Sequence, residues 1–361
     1  MNILFYISTI RGGGAAKVMV NLANTFSRWG NAVTLVTNFP DSHEYNVDSR
    51  VKRINLEKEE AKTNVIKKNM LRCMGLRKIL KAVKPDVQIA FMRENNFRAI
   101  AAGLFLKTRT IVSVRNDPKQ EYSNFLSKIL AKVLYGIADG CVFQTEDAKV
   151  WFPKNVQKKS CIILNPVDEK FYKVQRSNAP AGIVTIGRLS KQKNHKLLLD
   201  AYFLACKNIT DDLFIYGEGD KLEELKRYAQ ELGIKERVHF QGFTREPEKV
   251  YTNAKLFVLS SDYEGLPNVL MEAMSCGVPC ISTDCPCGGP KMLIENGSNG
   301  LLVPVKGIIE LKNAVENLCQ DSKLCDIISK NAKRESEKYR NEIIAQKWET
   351  YFRLIVEQHY E

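Results

Sequence analysis

The sequence predicts an α/β protein made of two Rossmann-like, doubly wound domains. Its 361 residues exceed what one hydrophobic core usually holds, which favours two domains. Short, nearly continuous apolar runs alternate with helix-length segments in both halves, and such runs are typical of parallel strands buried on both faces. We predict strands at residues 2–8, 32–38, 87–92, 110–115, 140–144 and 161–164, and in the second half at residues 182–188, 213–216, 238–241, 256–260 and 278–282.

A proline marks the predicted domain boundary. Pro166 has no backbone N–H to donate to a sheet and disfavours a helical conformation at Asn165, so a domain is expected to end there. We predict an N-terminal domain at residues 1–165 and a C-terminal domain at residues 166–340. Residues 341–361 are expected to form a helix that packs back onto the first domain, because their apolar side chains recur at helical spacing. These are Ile343, Ile344, Trp348, Tyr351, Phe352 and Ile355.

Neither the first residues nor the cysteines indicate export. Residues 1–8 lack the basic start and the cleavage site of a signal peptide, and no apolar run approaches about 18 residues, so we expect a cytoplasmic protein. The ten cysteines are then expected to be reduced thiols. Spacings within their one cluster differ from the paired C-x2-C motifs of a structural zinc site, which disfavours a metal. That cluster is Cys276, Cys280, Cys285 and Cys287.

The net charge of +13 lies entirely in the first half of the chain. Residues 1–165 contain 27 Lys and Arg against 13 Asp and Glu, a net charge of +14, whereas residues 166–361 contain 27 against 28. A basic domain of this kind favours an anionic partner, such as phospholipid headgroups, a pyrophosphate-linked lipid or nucleic acid.

Residues 62–84 are predicted to form an amphipathic helix rich in Lys and Arg. Such a helix can lie on an anionic membrane surface, or its apolar side can pack on its own sheet. We favour the membrane surface, because the charge excess belongs to the whole domain. Residues 50–84 contain no aromatic residue, which disfavours a nucleic-acid-binding module, since such modules interleave cations with aromatic side chains.

A glycine-rich turn follows the first predicted strand. Gly13 and Gly14 allow backbone amides to approach a phosphate, and the N-terminus of the following helix adds positive potential. The turn is not G-x-G-x-x-G, and no acidic residue ends the second strand at residues 36–38, which disfavours a nicotinamide-dependent dehydrogenase. A plain tight turn is the alternative.

Two cations follow the first strand of the second domain. Arg188 and Lys193 lie five positions apart, where both can reach a diphosphate at the carboxyl edge of the sheet. Arg188 suits a forked contact with phosphate oxygens, and Lys193 suits a point-charge contact. The alternative is a solvated basic loop.

Two glutamates flank the start of a predicted helix. Glu264 lies in a loop after a strand, and Glu272 lies inside the helix that begins near Pro267. The two carboxylates can hold two hydroxyl-bearing parts of one ligand, and we expect the backbone amides from Gly265 to Asn268 to face the same ligand. A favourable interaction with the helix dipole also explains Glu264, but Glu272 lies too deep in the helix for it.

Taken together, these stretches resemble the family 4 retaining glycosyltransferases of the GT-B fold. The resemblance rests on the two glutamates eight positions apart, which follow a G-R-L-x-K-x-K-N stretch and the N-terminal glycines, and it covers essentially the whole chain. Further matching stretches are Leu164–Asp168, Tyr216–Gly219, Gln241–Phe243 and Thr283–Pro286. The resemblance implies two Rossmann-like domains that face a central cleft, and it explains the cysteine cluster as loop sequence.

The resemblance also implies roles for these residues. Glu272 is expected to bind the ribose of a nucleotide sugar, and Glu264, with the backbone amides that follow it, the donor sugar. Arg188 and Lys193 are expected to neutralise the leaving diphosphate, which makes Glu264, Arg188 and Lys193 the catalytic candidates. No metal or other cofactor is implied, because the two cations take that part. The donor-binding residues so implied are Gly13, Gly14, Arg188, Lys193, Gly242, Phe243, Glu264, Gly265, Leu266, Pro267, Asn268 and Glu272.

The chain departs from the family pattern at two positions. Ala16 stands where many relatives have glutamate, and Arg115 stands where many have histidine. The role of that histidine is therefore not carried over, and a mechanism in which the leaving phosphate accepts the acceptor's proton does not need it. Candidate acceptor contacts are Arg93, Asn95, Arg115 and Asn116.

The favoured function is transfer of a sugar from a UDP-sugar, such as a UDP-N-acetylhexosamine or UDP-hexose, to a glycan or lipid-linked saccharide in surface polysaccharide or glycoconjugate synthesis. The expected location is the inner face of the cytoplasmic membrane. A GDP-mannose-dependent mannosyltransferase is the first alternative, and a sugar-nucleotide epimerase or a phosphorylase of the same fold is the second. A module that binds anionic surfaces or nucleic acid is the non-enzyme alternative.

Overall fold

The computed structural model describes residues 1–41, 43–59, 64–180 and 182–357. Contacts divide the chain into a first unit, residues 1–166 together with the C-terminal segment from Asn341, and a second unit, residues 167–340. This division lies one residue from the predicted boundary. Of the predicted basic and C-terminal helices, residues 62–63 and 358–361 lie outside the described residues.

Each unit contains one parallel sheet. The strands of the first unit are β1 (Asn2–Tyr6), β2 (Ala32–Thr37), β3 (Lys52–Asn55), β4 (Val87–Phe91), β5 (Arg109–Ser113), β6 (Gly140–Phe143) and β7 (Ser160–Ile162). Those of the second are β8 (Ile183–Ile186), β9 (Leu213–Tyr216), β10 (Val238–Gly242), β11 (Leu256–Leu259), β12 (Cys280–Thr283) and β13 (Leu301–Val303). Their orders across the sheets are β3-β2-β1-β4-β5-β6-β7 and β10-β9-β8-β11-β12-β13. Both are doubly wound, as predicted.

Helices connect the strands. In the first unit they are α1 (Gly14–Arg28), α2 (Val65–Val83), α3 (Arg93–Gly103), α4 (Pro118–Glu121), α5 (Phe125–Ile137), α6 (Glu146–Val150) and α7 (Lys154–Lys158). In the second they are α8 (Glu169–Tyr172), α9 (His195–Ala205), α10 (Leu222–Glu231), α11 (Pro247–Asn253), α12 (Asn268–Ser275), α13 (Gly289–Leu293), α14 (Ile308–Gln320) and α15 (Ser322–Ser336). The C-terminal helix α16 (Asn341–Glu357) returns to the first unit. Short 3₁₀ turns occur at Lys191–Lys193, Lys235–Arg237 and Glu337–Tyr339.

The first strand explains why the sheet of the first unit is covered on both faces. Successive side chains of a strand point to opposite faces. Ile3 and Phe5 lie in one core cluster with residues of α1 and α16, whereas Leu4 and Tyr6 lie in another with residues of α2 and α3. All four side chains are fully buried, so the continuous apolar run reflects burial on both faces.

Helix α16 completes the core of the first unit. Trp348 is fully buried, and its ring packs 5.9 Å from that of Phe91 and 5.5 Å from that of Phe352, between ring centroids. The hydroxyl of Tyr351 donates a hydrogen bond to the Lys159 carbonyl at 2.6 Å and accepts one from the Cys141 N–H at 2.9 Å. The apolar stripe of this helix is therefore bound to the sheet through both packing and hydrogen bonds.

The two strands that the sequence prediction lacks are both edge strands. β3 is at one edge of the first sheet, and its residues are exposed or half-buried. β13, a strand of three residues, is at one edge of the second sheet. An edge strand has a neighbour on one side only and needs no long apolar run, so the pattern that marks the central strands is absent.

Helix α2 corresponds to the predicted basic helix and packs one side on the sheet. Leu76 and Leu80 lie in the core cluster beneath it. Arg72 is buried and pairs with Glu57, with Nε 2.6 Å from Oε1, so this residue is part of the interior rather than of the basic surface. Among the helices of the described residues, none combines the length and the apolar character that crossing a bilayer requires.

Replacing Trp348 by alanine tests the packing of α16. We expect Trp348→Ala to lower the free energy of unfolding of the first unit by about 3–5 kcal/mol, because it leaves a large cavity under the sheet. Urea denaturation followed by circular dichroism gives this value. The matched control is Leu354→Ala on the same helix, where the side chain is half-exposed and the change is expected to stay within about 0.5 kcal/mol. Equal losses from the two variants would contradict this packing.

Candidate active site

The strand order of the second sheet reverses between β8 and β11. In open parallel sheets, ligands bind outside the carboxyl ends of the strands at such a reversal. The loop after β8 carries Arg188 and Lys193, and the loop after β11 carries Glu264. Three of the predicted residues therefore leave adjacent strands at one edge of the sheet.

Hydrogen bonds join these two loops. The Gln192 side chain donates to the Tyr263 carbonyl at 3.0 Å, and the Asn194 side chain donates to an Asp262 carboxylate oxygen at 2.7 Å. In the other direction, the Ser260 hydroxyl donates to the Lys193 carbonyl at 3.0 Å. Each loop therefore fixes the backbone of the other.

An ion pair at this edge joins Lys193, which is predicted to bind the diphosphate, to Glu264, which is predicted to bind the donor sugar. The ammonium of Lys193 lies 2.5 Å from Oε1 of Glu264, and both side chains are largely buried. The hydroxyl of buried Ser261 donates to the same carboxylate oxygen at 2.7 Å. Because two donors hold one oxygen, the Glu264 carboxylate has a defined position beside a cation that is suited to phosphate.

The backbone around Glu264 is fixed by a second loop, which follows β12. The N–H of Glu264 donates to the Pro286 carbonyl at 2.6 Å, and the N–H of Cys287 donates back to the Glu264 carbonyl at 2.8 Å. Gly289 lies against the next peptide group: a Cβ added there would lie 1.7 Å from the Gly265 carbonyl oxygen. Only glycine allows this approach of the two backbones.

Glu272 lies within α12 and is buried. Burial and then the charge of Glu272 raise the pKa of Tyr251, a buried tyrosine of α11, well above its usual range. Pro267 cannot supply a backbone N–H to the donor, because it is a proline; it is the N-cap of α12. The backbone N–H groups of this turn come from Gly265, Leu266 and Asn268.

Arg188 is exposed and, among the described residues, its guanidinium makes no hydrogen bond or ion pair. The backbone around it is nevertheless braced by the turn after β9. The N–H of Leu189 donates to the Glu218 carbonyl at 2.9 Å, and a Cβ at Gly217 would lie 1.9 Å from the Gly187 carbonyl oxygen. The Arg188 guanidinium is therefore available to contact a ligand, while the backbone that carries it is held in place.

Gly242 and Phe243 lie at the same edge of the sheet, at the end of β10. The N–H of Gly217 donates to the Gly242 carbonyl at 2.7 Å, which connects this turn to the Arg188 loop through β9. Gly242 has a positive φ of 71°, and the Phe243 side chain is exposed. The exposed ring is available for stacking.

His195 follows Lys193 by two positions and begins α9. Burial, with the nearby Lys193 charge, lowers the pKa of His195 to about 4, so its imidazole is neutral at physiological pH. Its Nδ1 is buried without a hydrogen-bond partner among the described residues. The cysteines of the 276–287 cluster are buried free thiols, and no group of three or more His, Cys, Asp or Glu within the described residues is arranged to hold a metal ion.

The first sheet has its own reversal, between β1 and β4. The predicted glycine turn follows β1: Gly13 has φ 84° and ψ 151° and is the N-cap of α1, which begins at Gly14. Apart from Gly13 itself and its two chain neighbours, no atom of the described residues lies within 4 Å of the position of a Cβ at Gly13. Met92 follows β4 and has nearly the same angles, φ 78° and ψ 145°, a region that residues other than glycine rarely occupy. The sequence analysis did not single out Met92, and no sequence signal marks it.

Arg93 forms part of a half-buried polar contact with Glu121. Its N–H donates to Oε1 of Glu121 at 2.8 Å, and its guanidinium donates to the Glu121 carbonyl at 2.7 Å. Burial raises the pKa of Glu121 to about 7. Asn95 is buried. Its side chain donates to the Phe91 carbonyl and accepts from the Ser8 hydroxyl, so it connects the segment after β4 to the segment after β1. Of the predicted acceptor contacts, Arg93 is accessible only in part and Asn95 is enclosed.

Arg115 is packed inward. Its guanidinium carbon lies 3.7 Å from the centre of the Phe91 ring and 5.6 Å from that of Trp348, and Nη1 donates to the Asn165 side chain at 2.8 Å. Burial lowers its pKa to about 9. Contact with an acceptor would require this guanidinium to leave the stack, although Arg115 and the neighbouring Asn116 are both half-buried as whole residues.

Family models match both parts of the chain. The model for group 1 glycosyl transferases matches residues 167–335, and the model for glycosyltransferase family 4 matches residues 12–171. A Campylobacter jejuni α-1,4-N-acetyl-D-galactosaminyltransferase, which acts on GalNAc-α-(1→4)-GalNAc-α-(1→3)-diNAcBac-PP-undecaprenol, is 30% identical over 96% of this chain and 97% of its own length. The chain belongs to the family 4, group 1 glycosyltransferases.

Further comparisons agree with this family and fold. A second Campylobacter jejuni enzyme, an N-acetylgalactosamine-N,N'-diacetylbacillosaminyl-diphospho-undecaprenol 4-α-N-acetylgalactosaminyltransferase, is 26% identical over 92% of this chain and 94% of its own length. The crystal structure of Anabaena HepE in complex with UDP superposes with a TM-score of 0.80 at 18% identity, covering 97% of this chain and 99% of HepE. The glycosyltransferase therefore has the two-domain GT-B fold.

The close approach at Gly289 provides a test of how the Glu264 loop is held. We expect Gly289→Ala to displace residues 264–266 and to cost more than about 2 kcal/mol in the free energy of unfolding, because backbone atoms cannot yield to the added methyl group. The control is Gly75→Ala within α2, where the methyl meets only the end of the Leu56 side chain at 3.3 Å and alanine favours the helix. Chemical denaturation of both variants gives the comparison, and a neutral Gly289→Ala would contradict the packing.

Proposed function

We propose that this glycosyltransferase transfers a sugar, with retention of anomeric configuration, from a UDP-sugar to a lipid-linked saccharide. The observation that carries the proposal is the Lys193–Glu264 ion pair at the reversal between β8 and β11. A carboxylate that can accept from sugar hydroxyls and a cation that can contact phosphate are held within one hydrogen bond of each other. A nucleotide diphosphate sugar has those two chemical parts side by side.

The proposed mechanism needs no metal and no protein base. Arg188 and Lys193 bind the diphosphate and stabilise the negative charge that grows on it as the bond between the anomeric carbon and the phosphate oxygen breaks. The acceptor hydroxyl forms the new bond on the same face of the sugar, and its proton passes to the leaving phosphate oxygen. The neutral, buried His195 is consistent with this scheme, since it is unsuited to accept that proton.

Donor contacts are proposed along the carboxyl edge of the second sheet. Glu264 orients the sugar hydroxyls, Glu272 binds the ribose hydroxyls, and the exposed ring of Phe243 stacks on the base. UDP is favoured because UDP is bound by HepE, and an N-acetylhexosamine is favoured by the names of the two Campylobacter enzymes.

The proposed acceptor is a saccharide on a lipid pyrophosphate at the inner face of the cytoplasmic membrane. Both Campylobacter relatives act on diphospho-undecaprenol-linked saccharides. The net charge of +14 in residues 1–165 suits a pyrophosphate and an anionic leaflet. Arg93 and Asn116 are the remaining candidate acceptor contacts.

A panel of nucleotide sugars tests the donor. We expect UDP-N-acetylhexosamines to raise the melting temperature most, since a ligand at a hundred times its Kd stabilises the folded state by about 2.7 kcal/mol. GDP-mannose is the comparison that decides the nucleotide: if GDP-mannose stabilises the protein and UDP-sugars do not, the proposed donor is GDP-mannose instead of a UDP-sugar.

Glu272→Ala is expected to weaken UDP binding by tenfold or more, because ribose hydroxyls lose a charged acceptor. Glu236→Ala, at an exposed carboxylate of the opposite edge, is the control that should bind UDP normally.

Glu264→Ala separates turnover from nucleotide binding. We expect it to slow sugar transfer by about a hundredfold, because the donor sugar is no longer held in its reactive orientation. UDP affinity should be unchanged or tighter, because Lys193 loses its carboxylate partner and gains attraction for phosphate. Isothermal titration with UDP and a transfer assay measure the two effects, with Glu295→Ala, an exposed carboxylate, as the control. Weaker UDP binding together with normal turnover would overturn the assigned role.

A further inference from the structure

Helix α5 presents an apolar face away from its own domain. Of its thirteen residues, only Ala131 and Tyr135 are buried. The large apolar side chains on the other side are more than two-fifths exposed, a degree of exposure that is unusual when it recurs along one helix. They are Phe125, Leu126, Ile129, Leu130, Val133 and Ile137.

Two exposed lysines lie along one side of α5. At 100° per residue, the buried residues and the six exposed apolar residues fall on opposite sides of the helix. Lys132 lies at one border of the apolar face and Lys128 lies between that border and the buried side; both are exposed, and the helix contains no Asp or Glu. Long lysine side chains at such a border can reach upward to phosphate groups while their stems cover apolar surface.

The most exposed apolar side chains of α2 and α5 lie in the first turns of these two helices. Helix α2 packs on α3 and α3 packs on α5. Val65 and Ile66 in the first turn of α2 are 72% and 84% exposed, and Phe125 and Leu126 in the first turn of α5 are 79% and 73% exposed. Both helices run back from the carboxyl edge of the sheet, because each connects parallel strands of that sheet. These four side chains, the apolar patch, therefore lie at the carboxyl edge, where Gly13 and Met92 also lie.

We propose that the apolar patch, together with the outward face of α5, inserts into the interface of a lipid bilayer and holds the enzyme there. This deepens the proposed function, on which it rests, by naming the element that contacts the membrane. The basic surface supplies long-range attraction to anionic lipid, whereas the patch supplies binding that is independent of lipid charge. Insertion at the carboxyl edge keeps that edge of the first sheet next to the headgroups, where the pyrophosphate of a lipid-linked acceptor lies.

A bilayer fits this surface better than a second copy of the chain does. A symmetric contact through α5 would bring Lys128 and Lys132 of each copy against the same basic face of the other, in a unit that already has an excess of positive charge. A bilayer offers acyl chains to the apolar side chains and phosphate groups to the lysines.

The test is cosedimentation of the full chain with vesicles, without donor or acceptor. Vesicles of phosphatidylcholine alone are compared with vesicles of phosphatidylcholine and phosphatidylglycerol in equal parts. We expect the double variant Phe125→Ser/Leu126→Ser to bind both vesicle types at least about tenfold more weakly, because two apolar side chains no longer enter the interface. Lys128→Gln/Lys132→Gln should weaken binding only to the anionic vesicles.

The matched control replaces two apolar residues of similar exposure outside the proposed surface. Ile309→Ser/Ile327→Ser, on α14 and α15 of the second unit, should bind vesicles as the unmodified protein does. Insertion has a direct readout as well: the fluorescence of Phe125→Trp should be quenched by brominated acyl chains beyond the quenching of the unmodified protein, and that of Ile309→Trp should not.

Two results would overturn the inference: equal vesicle binding by Phe125→Ser/Leu126→Ser and the unmodified protein, or a lack of additional quenching in Phe125→Trp. A concentration-dependent dimer that the Phe125→Ser/Leu126→Ser variant abolishes, with no vesicle binding, would assign the surface to a second copy instead. Stabilisation by UDP-sugars is measured on the same variants. If it persists when vesicle binding fails, only the membrane inference is lost; if UDP-sugars fail to stabilise any variant, the proposed donor chemistry fails separately.

Discussion

The candidate site depends on one constraint of the second unit, the reversal of strand order between β8 and β11. The reversal sends two loops, more than seventy residues apart in sequence, out of the same edge of the sheet. The ion pair between Lys193 and Glu264 closes across them, and three side-chain hydrogen bonds to the neighbouring loop fix the surrounding backbone. Glycines at positions 217 and 289 permit backbone contacts that no other residue allows, so close packing of peptide groups adds to these side-chain contacts.

The candidate site residues of this region could be predicted from sequence because each of them lies in a loop directly after a recognisable strand. Arg188 and Lys193 follow one strand and Glu264 follows another, and the carboxyl edge of a parallel sheet brings such loops together. The partners Ser261, Gln192 and Asn194 were missed because short polar residues in loops have many possible partners. Strands β3 and β13 were missed because an edge strand requires little burial.

In the first unit, two residues predicted to contact an acceptor also make contacts that the sequence does not reveal. The guanidinium of Arg115 lies on Phe91 and near Trp348, a residue more than two hundred positions away, and no local pattern encodes that contact. The side chain of Asn95 accepts hydrogen bonds from Ser8 and Arg98. The accessible features of this unit include its glycine turn, the strained Met92 and the apolar first turns of α2 and α5, and of these the sequence marked the glycine turn and the α2 helix as sites.

The return of α16 to the first unit has a consequence for biogenesis. On the ribosome, domains generally fold as they emerge, and the one made first usually folds first. Here the second unit is one continuous stretch of chain, whereas the core of the first unit lacks Trp348 and Phe352 until translation has passed beyond the second. The domain that is synthesised first is therefore the last to be completed, and one face of its nascent sheet, covered by α1, lacks the α16 part of its cover while the rest of the polypeptide is made.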